Sequence, residues 1–438
     1  MGERLALSVP EPVVRIARTL ERSGFETWCV GGAVRDALLG HPHLDWDLAT
    51  AATPRQVRSL FRRTVPVGIE FGTVGVLDEE GTMHEVTTFR RDVQTDGRHA
   101  VVEFGASLDD DLARRDFTIN AIAYSPLTHD VRDPFDGRAD LERGMVRAVG
   151  VAEERMREDR LRALRAIRFA ARFGFRIEES TWRAVVGSAP HLGRLSPERV
   201  KQELEKTMEQ VDRPSVALAL WRESGAFAVL LPALASVSAL TLAAVDQIRR
   251  PTRAKQAHRA IDRFIALFSD LAPQDAERAL RALRFSNRDV AWVGSVLERW
   301  RQVDATMTDA LLRAAPPDDA AVRRWVGTMG RVRTASVLRL AAARWGARRS
   351  TGLEAPAASR VGSLYRRALR AAFREPVELS DLAVDGNDLR DAGIPAGPRL
   401  GRVLARLLQL VIERPALNTR EELLARARAI HDELMQES

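Results

Sequence analysis

Apolar positions recur along this chain with two different periods. From Pro10 to Ser23, Val13, Val14, Ile16, Ala17 and Leu20 fall at helical spacing, which predicts an amphipathic helix ended by Gly24. Trp28-Cys29-Val30 reads as a short strand end, cut by Gly31-Gly32. Ala33 to Leu39 suits a short helix with Gly40 as its stop, and a second strand carries Asp45 and Asp47. Thr53-Pro54 joins an N-cap residue to a first-turn proline, predicting a helix over PRQVRSLFRR. VPVGIEF, TVGVLD and MHEVTTF then carry strand signals, split by Gly and acidic turns. Arg90 to Val101, RRDVQTDGRHAV, is polar and turn-rich and reads as a mobile loop. From Asp109, DDDLARRDFTINAIAY sets acids and arginines ahead of an apolar helix, and DG turns with short strands follow as far as Val151.

Past Val151 strand signals almost vanish. Stretches such as LRALRAIRFAARFGF, SPERVKQELEKTMEQV and PRLGRVLARLLQLVIER are Ala-, Leu- and Arg-rich at helical spacing, with prolines as punctuation and no repeat of fixed period. Residues 349–359, RSTGLEAPAAS, read as a linker. The prediction is an α+β protein of more than one domain, as 438 residues allow. A small mixed sheet occupies residues 1–151, and all-helical segments span 152–220, 221–348 and 360–438.

Composition adds a partner class. Apolar residues make up 45% of the chain, enough for large cores, and the net charge is +7, carried mostly by arginine. That excess suits a polyanion. Two basic runs stand out in the helical half, Arg249 to Arg263 and Arg360 to Arg374. They suit phosphate contacts that position an RNA without reading it, although a solvated helix face explains either run alone. Cys29 is the only cysteine, which rules out an intrachain disulfide framework and fits a reducing cytoplasm. The N-terminus has no signal-peptide core and the chain no ~20-residue apolar run, so a soluble cytoplasmic protein without a membrane partner is expected.

The candidate chemistry begins at Gly31-Gly32. Paired glycines let backbone N–H groups approach an anion at a helix start. Asp45 and Asp47, two apart in a strand, face the same way and repel unless a cation sits between them. Such oxygen ligands suit Mg²⁺ when substrate phosphates complete its shell. Glu85 lies on the strand face opposite Val86, where it is either a solvated acid or a third carboxylate for the site. Arg115 offers a guanidinium fork to a triphosphate or ribose, Asn120 can bond a ribose hydroxyl, and Asp116 could orient an arginine. Asp159, Arg162, Arg165 and Arg168 are three apart and form one polar ridge if helical.

Taken together these strings resemble class II tRNA nucleotidyltransferases, the CCA-adding enzymes, and their relatives the bacterial poly(A) polymerases. GGAVRD…LDWDLAT resembles the first family motif and RRDFTINA matches the second almost letter for letter. DPFDGRADL resembles DPxxGxxDL with Asp136 where Gly is usual. EDRLRALRAIRF resembles EDxxRxxRAxRF with Arg160 where Pro is common, and SPERVKQEL resembles SxERxxxEL. The resemblance implies a nucleotidyltransferase head over 1–151, then a base-reading neck (152–220), a body (221–348) and a tRNA-binding tail (360–438). It implies catalysis by Asp45, Asp47 and Glu85, with metal on Asp45 and Asp47. It implies nucleotide binding by Gly31, Gly32, Arg35, Arg115, Asn120, Asp159, Arg162, Arg165 and Arg168. The cofactor implied is Mg²⁺ and the partners are CTP, ATP and the tRNA 3′ acceptor end; no protein partner is predicted. Some relatives carry an added HD phosphohydrolase domain, and none is expected here.

In the family the Asp and first Arg of EDxxRxxRAxRF read the incoming base, and hydrogen bonding supplies a reason. Asp159 only accepts and Arg162 only donates. Cytosine and adenine each show an amino donor beside a ring-nitrogen acceptor and satisfy both, whereas uracil and guanine satisfy neither. The expected activity is template-independent addition of C, C and A to tRNA. The alternatives are a CC-adding, A-adding or poly(A)-adding relative, or a non-catalytic RNA-binding protein.

Overall fold

The computed structural model describes residues 6–41, 45–95, 100–251 and 258–436. α1 (Glu11–Arg22) covers the amphipathic stretch and buries Val13, Ile16, Ala17 and Leu20. β1 (Thr27–Val30) runs into α2 (Gly32–Leu38), and β2 (Asp47–Thr50) follows. α3 (Pro54–Leu60) starts at a capping box in which the Thr53 hydroxyl oxygen accepts from the Gln56 N–H and Gln56 accepts from the Thr53 N–H. β3 (Thr64–Gly68), β4 (Thr73–Leu77) and β5 (Met83–Thr88) complete the expected strands.

Two expectations fail just beyond. The predicted loop over Arg90–Val101 is a two-stranded antiparallel ribbon, β6 (Arg90–Thr95) with β7 (Ala100–Phe104). Arg91 and Glu103 face each other across it, 2.8 Å apart. β6 is polar, so alternation of hydrophobicity does not announce its pairing, which backbone register and the Arg91–Glu103 opposite charges carry. The turn residues that suggested the loop, 96–99, lie outside the described residues. α4 (Leu108–Ala113) holds the acids, but no apolar helix follows it. Thr118–Asn120 makes one 3-10 turn, and Ala123–Tyr124 forms β8, which pairs with Cys29 and Val30 of β1. The run is apolar because it is buried in the sheet.

With β9 (Val131–Arg132), the main sheet has the order β3-β4-β5-β2-β1-β8-β9. β2 and β5 are parallel; the other neighbours are antiparallel. Val30, Ala49, Phe89, Leu108 and Leu112 meet in a core beneath it, each such side chain contributing about 1.5–3 kcal/mol. α5 (Gly137–Glu142) starts after Asp136, which sits in the left-handed region at φ 57°. Asp tolerates that conformation better than most residues, so it can stand where the family pattern has glycine.

A short parallel pair, β10 (Met145–Val146) with β11 (Arg176–Ile177), brackets α6 (Ala152–Glu158) and α7 (Leu161–Phe173). α8 (Glu179–Ser188) and α9 (Pro197–Gln210) follow. Asp159 is not on the helix that carries Arg162, Arg165 and Arg168, as the ridge pattern implied. α6 ends before it, its backbone is extended at φ −148°, and its carboxylate accepts the Leu161 N–H at 3.0 Å. An aspartate that bonds backbone two residues ahead turns the chain rather than continuing a helix.

The chain divides into two compact units. The first comprises residues 1–207 and 220–232 and holds every candidate site residue. The second comprises residues 208–219 and 233–438 and is helical, from Ala239–Asp246 to Arg420–Gln436. Among the described residues no helix is long and apolar enough to cross a membrane.

The basic runs of the second unit need revision. Arg263 is fully buried, and its guanidinium donates to the carbonyls of Ile248, Met208, Val211 and Asp212. Arg360 donates to the Leu311 carbonyl and Arg367 to the Pro317 carbonyl and Asp319. These arginines close chain ends inside the fold. Arg366, Arg370 and Arg374 are exposed at four-residue spacing on the helix Ala358–Arg374. Arg253 and Lys255 lie outside the described residues.

Candidate active site

The site grows from the end of β1. Gly31 has φ 77°, a left-handed conformation that favours glycine, and caps α2. It also faces the site closely: a Cβ there would lie 2.9 Å from Arg115 Nη1, so the arginine tip would have to move aside, and 4.0 Å from Asp47 Oδ2. Asp47 opens β2 directly opposite Val30, so strand register brings it beside the glycine turn. Asp45 precedes the strand and is exposed, and Trp46 between them is buried. The parallel register Leu48 to Val86 puts Glu85 level with Asp47.

Burial pushes the Asp47 carboxyl up, and the charges of Asp45 and Glu85 push it further against the pull of Arg115, to about 7. Among the described residues no three His, Cys, Asp or Glu side chains gather into a metal cage. Asp45 and Asp47 thus offer two carboxylates whose repulsion Arg115 relieves only in part. That donor set fits a hard divalent cation whose remaining ligands are water and substrate oxygens.

Arg115 reaches this point from the end of α4. Asp111, 1% exposed, holds Arg115 Nη2 at 3.1 Å and Arg114 Nε at 3.0 Å. Nη1 of Arg115 lies 3.4 Å from the Asn120 carbonyl, and its Nε is buried without a hydrogen-bond partner among the described residues. A buried donor left unpaired is costly, and an anionic ligand would relieve it. Asp111 was overlooked in the sequence because it stands in a run of three aspartates, and only burial separates it from Asp109 and Asp110.

Arg35 and Arg168, expected on the nucleotide, are enclosed instead, each 3% exposed. Arg35 pairs with Asp36, donates to Asn120 Oδ1 at 2.5 Å, and lies over the rings of Phe169 and Phe173. Arg168 donates to Glu203 at 2.6 Å. Asn120 is buried too, and its amide donates to Asp116. Burial alone would raise the Asp116 carboxyl, but the charge of Arg165 and hydrogen bonds from Asn120 and Arg165 hold it at about 2.

At the end expected to read the base, Asp159 accepts from Arg199 at 2.7 Å. Arg162 bonds Glu158 at 2.6 Å and the carbonyls of Arg155 and Arg114 at 3.1 and 2.9 Å. The Arg162 N–H donates to the Asp159 carbonyl, so the two residues are locked in one turn. Arg165 joins Asp116 at 2.8 Å. The structure therefore gathers Gly31, Asp47 and Arg115 at one place and Asp159 with Arg162 at another.

Comparisons with known proteins agree with this geometry. Residues 27–147 match the family described as Poly A polymerase head domain. Residues 174–237 match the family described as Probable RNA and SrmB-binding site of polymerase A. A CCA-adding enzyme of Geobacillus kaustophilus is 36% identical over 95% of this chain and 96% of its own length. One of Lactiplantibacillus plantarum is 35% identical over 95% of each. The crystal structure of the Bacillus stearothermophilus CCA-adding enzyme in complex with CTP superposes with a TM-score of 0.76 at 31% identity, covering 98% of this chain and 99% of that one. The likeness runs through head and helical half alike, so the chain belongs to the family of CCA-adding enzymes, tRNA nucleotidyltransferases with a poly(A) polymerase-type head.

Proposed function

We propose that this protein adds C, C and A in turn to the 3′ end of tRNA, from CTP and ATP, without a nucleic-acid template. The observation that carries the reading is the meeting of Gly31, Asp47 and Arg115 in a chain that matches a CCA-adding enzyme over 95% of its length. The tRNA 3′-hydroxyl attacks the α-phosphorus, and pyrophosphate leaves in line. Gly31, Gly32 and Arg115 hold the triphosphate, with Arg115 aimed by Asp111. The reaction is divalent-metal dependent, and we assign Mg²⁺ to Asp45 and Asp47, with Glu85 tuning their charge. When bound, the metal supplies Lewis acidity at the 3′-hydroxyl and at the leaving pyrophosphate. Asp159 and Arg162 read the amino group and ring nitrogen of C or A. Arg35, Asn120, Arg165 and Arg168 support these groups from behind rather than touching the nucleotide.

Residues 1–151 act as the head, 152–220 as the neck, 221–348 as the body and 360–438 as the tail. Exposed Arg366, Arg370 and Arg374 supply phosphate contacts to the tRNA. The single cysteine, buried Cys29, suits a reducing compartment such as the cytoplasm.

The test is a primer assay. tRNA ending at the discriminator base is incubated with Mg²⁺ and CTP, ATP or both, and products are resolved at single-nucleotide length. CCA that stops there is the expected result. CC alone, A added only to a CC end, or a long A tail would replace the reading with a partial-specificity relative, and no product would remove the enzymatic one.

A further inference from the structure

A buried chain of charged groups runs from the glycine turn to the base-reading helix. Arg172 on α7 donates to Asp36 Oδ2 at 3.1 Å. Asp36 Oδ1 accepts from Arg35 Nε at 2.8 Å, and Arg35 Nη1 donates to Asn120. Asn120 Nδ2 donates to Asp116 at 2.9 Å, Asp116 accepts from Arg165, and Arg165 and Arg168 both face Glu203 on α9. Asp36 is 1% exposed and sits between two guanidiniums from elements far apart in sequence. Arg35 also lies over Phe169 and Phe173 of α7, at 5.0 and 4.7 Å. On its other side, a Cβ at Gly32 would come within 3.4 Å of Arg35 Nη2, so the guanidinium backs directly onto the phosphate turn.

We propose that Asp36 is a positioning residue that fastens the triphosphate turn to the base-reading helix, so that an incoming nucleotide is gripped at both ends at once. This rests on the reading that Gly31 and Gly32 hold the triphosphate while Arg162 on α7 reads the base. Binding by two sites on one ligand depends on the distance between them being fixed, because the second contact gains from a high effective concentration only if the geometry is met. A misplacement of about 1 Å is enough to cost about a hundredfold in a positioned reaction. Asp36 belongs to α2 and its partner Arg172 to the last turn of α7, whose first turn carries Arg162, so their ion pair anchors α7 against the triphosphate turn and through the rigid helix holds that distance. Loss of the Asp36 charge removes the counter-ion that Arg35 and Arg172 share and leaves their repulsion opposed only by the more distant Asp116, so α2 and α7 are pushed apart while each keeps its own helix.

The experiment compares a whole nucleotide with its phosphate half. Affinities for CTP, ATP and inorganic tripolyphosphate are measured by calorimetry on the full chain, wild type against Asp36→Asn. A positioning role predicts about a tenfold loss for CTP and ATP with tripolyphosphate held within about twofold, because only the nucleotide must reach both ends. An equal loss for all three ligands would show local damage to the turn and overturn the proposal, as would unchanged affinity for all three. Should Asp36→Asn fail to fold, Arg172→Gln takes its place. It breaks the same link from the half-exposed side, keeps the Arg35–Asp36 pair, and must give the same split. Wild-type protein that binds neither CTP nor ATP would sink the activity reading and this proposal with it, whereas a wild type that binds both beside an unsplit variant sinks only the proposal.

Discussion

The two ends of the nucleotide site are balanced in opposite ways. At the phosphate end, Asp45, Asp47 and Glu85 crowd negative charge around Arg115, whose own charge is already shared with Asp111. At the base end each charge meets a partner: Asp159 with Arg199, Arg162 with Glu158, Arg165 with Asp116. On the proposed reading the first is completed by a cation and a triphosphate. The second has its charges paired before any ligand binds. An imbalance of charge suits a place where charged reactants supply the remainder, and a saturated network suits a place that must hold one geometry and refuse others.

Asp47→Asn attacks that contrast most directly and should have the largest effect. The amide keeps the shape but removes the charge that a cation needs. Nucleotide addition should fall by about a thousandfold or more, read as initial rate on tRNA lacking CCA. Binding of tRNA in a gel shift should stay within about twofold. Stability should move the other way. A carboxyl raised from 3.8 to about 7 in the fold stabilises it below 3.8, and that contribution is lost as pH rises through 7. In chelator at pH 8 the variant should therefore melt no lower than wild type. A lower melting temperature there would show that Asp47 is balanced like the base end and would break the comparison.

Next in size is the acid response of the saturated network. The Asp116 carboxyl is held at about 2 against an ordinary 3.8, so its contribution is full above 3.8 and disappears as pH falls through about 2. That is worth about 2 kcal/mol. Urea unfolding at pH 5, 4, 3 and 2 should show wild type losing this increment relative to Asp116→Asn. Parallel pH curves for the two proteins would mean that Arg165 does not hold the charge.

The phosphate end was far more legible in the sequence than the network. Gly31-Gly32, Asp45 and Asp47 lie within one strand–turn–helix–strand unit, and their roles follow from local geometry. Arg115 and Asp159 were found through motifs, because nothing local distinguishes a ligand-facing arginine from a solvated one. The long-range partner of Asp36 was not legible at all. Asp36 and Arg172 are 136 positions apart, and only the packing of α2 on α7 brings them together. The same holds for Arg263, which reads as one more cation in a basic run but is buried against four carbonyls. The β6–β7 ribbon is illegible for a different reason: its first strand, RRDVQT, is polar and runs into turn residues, so no hydrophobic period marks it.

The smallest predicted effect tests whether saturation at the base end serves selection or only stability. Asp159 has two oxygens with about four acceptor sites, and the fold uses one each for Leu161 N–H and Arg199. Room remains for a base amino group, but only if the carboxylate keeps its orientation. Arg199→Ala removes the side chain that, among the described residues, bonds this carboxylate, at a partly exposed position. Discrimination, measured as the ratio of kcat/KM for CTP over UTP, should fall about tenfold, the equivalent of about 1.4 kcal/mol. Arg199→Lys, which restores a charge without the fork, should recover part of it. A variant that loses rate for CTP and UTP equally would place Arg199 among supports of the fold. A variant that gains on UTP while its CTP rate holds would show that the arginine sharpens the difference between bases, as a protein template requires.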